Sequence, residues 1–559
     1  MKSSNVKLRS NLCKCYCCLN PVNSFPNSFD HQNSANVDSS TFHYDFATAT
    51  TSSLYPNTHF TNPDSIPTLP ESFRSFTRSF PQYLTTVEAD EIRANEYRHL
   101  FLSSQVCLDY SGHALFSSLQ QQQQGEFVAS SSSYTAKITS FDILHKANGV
   151  VMSSMIESKI KERIMRYLNV TEDDYSLFFT ANQTSAFGVL AESYPFQSNK
   201  NLITVYDHEN EGVEAMIKTS KGRGARASQA EFKWPKLKIH CNKLEEIVVG
   251  NVKKNNKNKK MNKGLFVFPV QSRVSGARYS YQWMSLAREN GWHVLLDASA
   301  LNPKEMDTLG LSLFQPDFII CTFYKVFGED PSGFACLLVK KSISPTLDVS
   351  SFTSSPGVVS ITHTKDEQDH EECEVECKGL DQADMLGLVV IGSRIRCLIN
   401  WLINALSALY HPHSERGVQL VQVYGPRVKF DRGSSLAFNM FDWKGERVEP
   451  MLVQKLADRN DISLGCGLLK HVWFSERYEV EKESVLMKGT KESIRKKFKG
   501  KKKESCESGI SVVTVNISFL SNFEDVYSLW KFVSKFLDAD YVEKERWRYT
   551  ALNQKSIEV

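Results

Sequence analysis

The chain has 559 residues, 41% hydrophobic and 23% charged, an ordinary soluble composition that excludes a peptide or a disulfide-stapled mini-protein. A balance of 66 basic and 63 acidic residues, net +3, gives no case for a nucleic-acid partner. No run of about 18 apolar residues announces a spanning helix, and the odd count of thirteen cysteines suits a reducing compartment better than a secreted disulfide framework.

Residues 1–80 are rich in Ser, Asn, Thr and Pro and hold only five acids, Asp30, Asp38, Asp45, Asp64 and Glu71. Such a stretch buries too little apolar surface to offset its ordering entropy, so disorder is expected. Within it Cys13, Cys15, Cys17 and Cys18 lie close to Lys2, Lys7 and Arg9. This cluster is compatible with lipidation by S-acylation, with a metal site, or with a patch of reduced thiols. The first 29 residues contain no acid, which also fits a plastid transit peptide. A cytoplasmic location is expected, with plastid import or membrane attachment through this segment as the alternatives.

Order is expected from about Thr85, because Thr85 and Glu88 have capping-box spacing and Ala89, Ile92, Tyr97 and Leu100 follow at roughly helical intervals. VCLDYSGHALF reads as a short strand and a Gly turn, followed by low-complexity Gln and Ser runs at 120–124 and 130–133. From about 140 to 340 the patterns alternate. SSMIESKIKERIMRYLN, TSAFGVLAESY, EGVEAMIKTSKGRG and YQWMSLARENG predict helices. SLFFTAN, NLITVYDHE, GLFVFPVQS, HVLLDASA, DFIICTFY and GFACLLVKK predict strands. Near-continuous apolar strands alternating with helices argue for an α/β fold with a mainly parallel sheet covered on both faces.

Three stretches interrupt this pattern: 250–263 with six lysines, 342–378 running from Ser/Thr-rich to acidic, and 488–503 with nine basic residues. Each is expected to be a solvated loop insertion, with a docking patch, for acidic partners in the two basic cases, as the alternative. Beyond 379, one or two packed helices precede the strand RGSSLAFNMFD, the helix EPMLVQKLADRN, the strand SVVTVNISFL and a closing helix FEDVYSLWKFVSKFL. The expected organisation is a disordered arm over 1–80, a large α/β domain over 81–405 and a small α+β domain over 406–559.

The chemistry concentrates at strand ends. FIICTFYKVFG ends an apolar strand and presents Lys325; a lysine on a mostly buried segment must be paired, neutralised or used covalently. HVLLDASA ends another apolar strand on Asp297. Ligands of open parallel sheets bind at such carboxyl ends. Residues 181–184 form a strand-to-helix turn whose free N–H groups suit an anion. A lysine, a buried carboxylate and an anion cradle are the set that pyridoxal phosphate needs. GRGAR at 222–226 reads as a helix stop, and neither Cys373 with Cys377 nor HPHS at 411–414 has a partner set, so no metal site is expected.

The segments CLDYSGHALFS, FFTANQTSAFGVLAESYPF, LFVFPVQSRVSG, WHVLLDASAL, FYKVFGEDPSGFACLLVKK, GLDQADMLGL and RGSSLAFN resemble the class V branch of fold-type I pyridoxal-phosphate-dependent transferases, and within it the plant molybdenum cofactor sulfurase-like proteins. The resemblance implies a seven-stranded α/β domain with a small C-terminal domain, a homodimer, and an amino acid such as cysteine as substrate. It assigns Lys325 to the Schiff base, Asp297 to the pyridinium nitrogen and Thr184 to the phosphate. Thr322 is placed at a further phosphate contact, and Gln271 in the loop near the cofactor's phenolic oxygen. Where the family phosphate turn has Gly-Ala, this chain has Asn182 and Gln183, which crowd the phosphate or add a hydrogen bond to it. The family's ring-stacking His aligns with Asn210, with His208 two residues away. Its persulfide-forming Cys aligns with Leu468, which cannot carry sulfur, leaving Cys466 as the nearest thiol. Two functions follow: cysteine desulfurase-like chemistry, or a non-catalytic descendant that uses the fold as a binding or scaffold module.

Overall fold

The computed structural model describes residues 58–98, 105–110, 134–135, 155–250, 264–300, 311–322, 335–355, 357–360, 362–363, 378–412, 418–426, 432–485 and 509–555. Helices α1 (Leu69–Ser79) and α2 (Val87–Glu96) come first. Then follow α3 (Met155–Tyr167), β1 (Tyr175–Thr180), α4 (Gln183–Ser193), β2 (Asn201–Thr204), α5 (Glu211–Gly222), β3 (Arg226–Gln229) and β4 (Gly264–Pro269). The large lobe continues through α6 (Gln282–Glu289), β5 (His293–Asp297), β6 (Phe318–Thr322), β7 (Ala335–Lys340) and β8 (Val358–Val359). Helix α7 (Lys378–Ser407) leads to the small lobe of β9 (Val421–Tyr424), β10 (Ser435–Met440), α8 (Pro450–Asp458), β11 (Gly465–Leu469), β12 (Ile510–Asn516), α9 (Phe523–Ser534) and α10 (Ala539–Lys555).

The large sheet has the order β8-β1-β7-β6-β5-β4-β2-β3. Strands β6, β5, β4, β2 and β3 pair in parallel. Strand β7 runs antiparallel to both β6 and β1, and β8 antiparallel to β1. Every residue of β4 and β6 is buried, as expected of strands covered on both faces. The parallel strands therefore end together along one edge, where β5 delivers Asp297 and β6 delivers Thr322. The small lobe is a four-stranded antiparallel sheet, β9-β10-β12-β11.

Several expectations need correction. The sheet has an eighth strand, because Val358 and Val359 pair with Thr180 and Phe179. That strand belongs to the stretch 342–378, whose first half is not a solvated insertion. Its short helix Val349–Ser354 is capped by Asp348, and Phe352 packs on Phe178 with ring centroids 4.6 Å apart. Thr362–His363 pairs with Tyr134–Thr135, while residues 364–377, the lysine run at 251–263, the basic run at 488–503 and the N-terminal cysteine cluster lie outside the described residues.

Order begins well before Thr85. The Glu71 carboxylate accepts the N–H and the hydroxyl of Thr68 at 2.9 and 2.8 Å, starting α1, whose Phe76 is fully buried. Thr85 does not cap α2: its hydroxyl donates to Gln82 O at 2.8 Å, since the tight turn Pro81–Thr86 runs straight into that helix. The domain boundary moves for the same reason. Phe76 stacks on Phe523 at 4.6 Å and Phe523 lies 4.7 Å from Trp401. Arg93 meets Asp525 at 2.5 and 3.0 Å, while Val106–Cys107 pairs with Ile462–Ser463. The segment from 58 to 110 thus packs on the small lobe rather than the large one. A further helix, α10, follows the expected closing helix.

Helix α7 is broken at Gly387, whose φ of 75° lies in the left-handed region. Its second part, Val389–Ser407, is long and apolar enough to cross a membrane, but 67% of its most apolar stretch is buried inside the fold. It is placed as the core helix of the small lobe.

Candidate active site

Asp297 is the centre of the carboxyl edge. It is 3% exposed. The backbone N–H and hydroxyl of Ser299 donate to Oδ1 at 3.0 and 2.5 Å. The Tyr206 hydroxyl donates to Oδ2 at 2.8 Å, and Gln183 Nε2 stands 3.4 Å from the same oxygen. Burial, together with the neighbouring carboxylate, pushes Tyr206 well above the ordinary phenol range, so it remains a donor. Neither Tyr206 nor Ser299 was among the sequence-derived site residues. Tyr206 lies in the apolar run that leaves β2, and Ser299 sits two positions after the aspartate; those were the only signals available.

Gln183 is the first residue of α4, and its Nε2 also donates to Ser299 Oγ at 2.6 Å. Asn182 caps the helix, its side-chain oxygen accepting Ser185 N–H at 2.8 Å. Thr184, next on the helix, is half-buried. Helix α5 crosses α4 closely here: a methyl group on Gly212 would lie 2.6 Å from the Phe187 ring and 3.3 Å from Thr184 Cα. Glycine at 212 therefore brings the start of α5, and the loop before it, against the start of α4.

That loop holds a second buried cluster. The Asp207 carboxylate accepts His208 Nδ1–H at 2.8 Å, Ser272 Oγ–H at 2.6 Å and the hydroxyl of Ser275. Burial works against its charged form, but the donors from His208, Ser272 and Ser275 outweigh it and hold Asp207 below the usual carboxylate range. The His208 ring lies 5.9 Å from that of Tyr206, which ties this cluster to Asp297. Asn210 is not part of it: its side chain accepts Val213 N–H at 3.2 Å and caps α5. Between the two candidates for the ring position, the structure thus brings His208, not Asn210, to the edge.

Two further groups are buried at this edge with no hydrogen-bond partner among the described residues, Thr322 Oγ1 and Gln271 Nε2. Gln271 uses its oxygen to accept Arg278 Nε–H at 3.1 Å. Gly433 of the small lobe lies directly against its carboxamide, where any Cβ would fall 1.8 Å from Oε1. Lys325 lies outside the described residues, three positions beyond Thr322. Among the described residues no cluster of His, Cys, Asp and Glu could hold a metal ion.

Comparison with known proteins fits this geometry. The chain is 25% identical over 493 residues to molybdenum cofactor sulfurase of Homo sapiens, covering 79% of this chain and 51% of that protein. The tomato (Solanum lycopersicum) molybdenum cofactor sulfurase is 25% identical over 429 residues, covering 68% and 49%. The chain thus spans about half the length of these curated relatives. Among solved structures, a cysteine desulfurase of Thermococcus onnurineus NA1 aligns with TM-score 0.52 at 12% identity, covering 80% of this chain and 98% of that one. The cysteine desulfurase CsdA of Escherichia coli aligns with TM-score 0.51 at 12% identity, with the same coverages. No family model matches the chain. The chain is thus similar to molybdenum cofactor sulfurases and has the fold of the cysteine desulfurases, the class V, fold-type I pyridoxal-phosphate transferase fold.

The register of the strand carrying Cys466 and Leu468 sets which way those two side chains face. Side chains alternate along β11. Methyl groups on Gly465 and Gly467 would face Asp109 and Val274, 3.2 and 3.0 Å away. Cys466 and Leu468 point to the opposite face. Cys466 Sγ sits 3.7 Å from Pro450 O and 3.5 Å from Gln454 Oε1 of α8, and Leu468 covers Gly509. Cys466 is exposed at the surface, yet desolvation of its sulfur against α8, with Asp109, Glu449 and Asp458 nearby, pushes the thiol up to about 11. Strand β11 still touches the site through its backbone: Glu209 N–H donates to Leu468 O at 2.8 Å, and Lys470 N–H to Asp207 O at 2.9 Å.

Proposed function

We propose that this chain binds pyridoxal phosphate at the carboxyl edge of the large sheet and acts with it on an amino-acid substrate, in the manner of a cysteine desulfurase. The observation that carries the reading is Asp297, a buried carboxylate at a strand end, immobilised by Tyr206 and Ser299 beside a helix N-terminus. The donor set fits the group. Asp297 would hold the ring nitrogen protonated, the N–H groups of α4 with Thr184 would hold the phosphate, and the unpartnered Thr322 hydroxyl would add a donor. The unpartnered Gln271 Nε2 would serve the phenolic oxygen, and His208 would flank the ring. When bound, the cofactor supplies an electron sink for negative charge at the substrate α-carbon. Lys325 would carry the cofactor and exchange the α-proton through its amine.

A second reading is favoured by one observation. Cys466 faces α8, and Leu468, where the resemblance implies the sulfur-accepting Cys, covers Gly509, so neither offers a thiolate to the site. A chain that binds the cofactor without releasing sulfur would be a binding or scaffold descendant. Both readings are tested on the purified chain with added pyridoxal phosphate. The visible absorbance of bound cofactor is expected and should vanish in Lys325→Ala; a chain that stays colourless at saturating cofactor overturns the first reading. Sulfide and alanine released from cysteine favour the enzyme, and absorbance without turnover favours the scaffold.

A further inference from the structure

The Asp297 carboxylate is already saturated. An ionised carboxylate offers about four lone-pair directions. Here Oδ1 takes the N–H and O–H of Ser299, while Oδ2 takes the Tyr206 hydroxyl and faces Gln183 Nε2. A protonated ring nitrogen reaching this carboxylate needs one of those places.

The four donors are not equally fixed. Ser299 lies two residues from Asp297 on the same backbone, and Tyr206 is enclosed in the core. Gln183 differs in three ways. It stands at the solvent-facing start of α4 and is only half-buried. Its approach to Asp297, 3.4 Å, is at the outer limit for such a bond. Its short bond, 2.6 Å, goes to Ser299 Oγ, which keeps its own proton on Asp297. Gln183 can leave by side-chain rotation alone, and Ser299 and Tyr206 still hold the carboxylate after it goes.

We propose that Gln183 is a displaceable occupant of Asp297, and that cofactor binding exchanges its carboxamide for the N–H of the protonated ring. The inference rests on the pyridoxal-phosphate reading above. The exchange is balanced: one N–H donor leaves Oδ2, another arrives, no covalent bond changes, and the carboxamide turns to water. Cofactor affinity is then set by the difference between two donors on one oxygen, and Gln183 is the residue that tunes it.

The test compares the full chain with Gln183→Ala and Gln183→Met. Each is titrated with pyridoxal phosphate and followed by cofactor absorbance and by the ligand-induced shift in melting temperature. Both variants should bind roughly five- to tenfold more tightly than the parent, the scale of one exchanged hydrogen bond. Met keeps the bulk of Gln while removing its donor, so tightening in Ala alone would show simple crowding and overturn the inference. Equal affinity in all three chains also overturns it and leaves the cofactor reading standing. No binding in any of them overturns the cofactor reading and the inference with it.

Discussion

Arg432 offers a direct test of how the two lobes are joined. Its guanidinium is fully enclosed and donates to four carbonyls: Pro426 at 2.7 Å, Ser275 at 2.8 Å, Tyr424 at 2.8 Å and Ser435 at 3.0 Å. Ser275 belongs to the large-lobe loop that also binds Asp207, whereas the other three lie in the small lobe. Arg432→Met keeps length and apolar bulk but removes all four donors. Each abandoned buried carbonyl costs about 1–3 kcal/mol. Removing a buried cation returns several kcal/mol of desolvation, which offsets part of that loss. The expected net destabilisation is about 3 kcal/mol, roughly a hundredfold in the unfolding equilibrium. Urea unfolding followed by tryptophan fluorescence would read it as a lowered midpoint. Arg432→Lys should fall in between, because a single ammonium cannot span four carbonyls. A loss below about 1 kcal/mol for Met would refute the idea that these bonds hold the lobes together.

Two other outcomes follow from the site. Asp207 is held below its ordinary range when folded, so the unfolded chain binds the extra proton first. Its contribution is present above about pH 4 and is lost as pH falls through the lower folded value. Asp207→Asn should therefore flatten the fall in stability below about pH 4, and an unchanged acid limb in pH-dependent denaturation would contradict the donor network. Cys466 is exposed, but with its thiol raised to about 11 it carries little thiolate and should alkylate slowly at pH 8. Peptide-resolved mass spectrometry after iodoacetamide measures this, and a rate equal to that of free cysteine would contradict the orientation of β11.

Most of the large lobe was legible because its signals are local. Apolar runs such as GLFVFP and FIICT are buried at every position, as periodicity predicts, and the helices between them carry their own caps at Asn182 and Asn210. Asp297 was legible because a carboxylate ending such a run needs a reason to be there. The misses share a different cause. Phe76 sits in a polar, Ser-rich stretch, and its partners Phe523 and Trp401 are hundreds of residues away, beyond any window of composition. The alternation of β11 decides where Cys466 points, and that register is set by pairing with β12 rather than by the motif around the cysteine. Tyr206 and Ser299 gain their roles only when β2 and β5 lie in one sheet with β4 between them.

The packing of residues 58–110 with residues 510–555 in one lobe bears on the order of synthesis. Phe60 bridges to Leu409, Phe76 rests on Phe523, and Tyr527 donates its hydroxyl to Pro67 O at 3.0 Å. Helix α1 therefore leaves the ribosome long before the surface it covers exists. Its apolar face must stay exposed, or be shielded by a chaperone, while the entire large sheet is made. The last helices then close the small lobe over it, so folding of this lobe waits for α9.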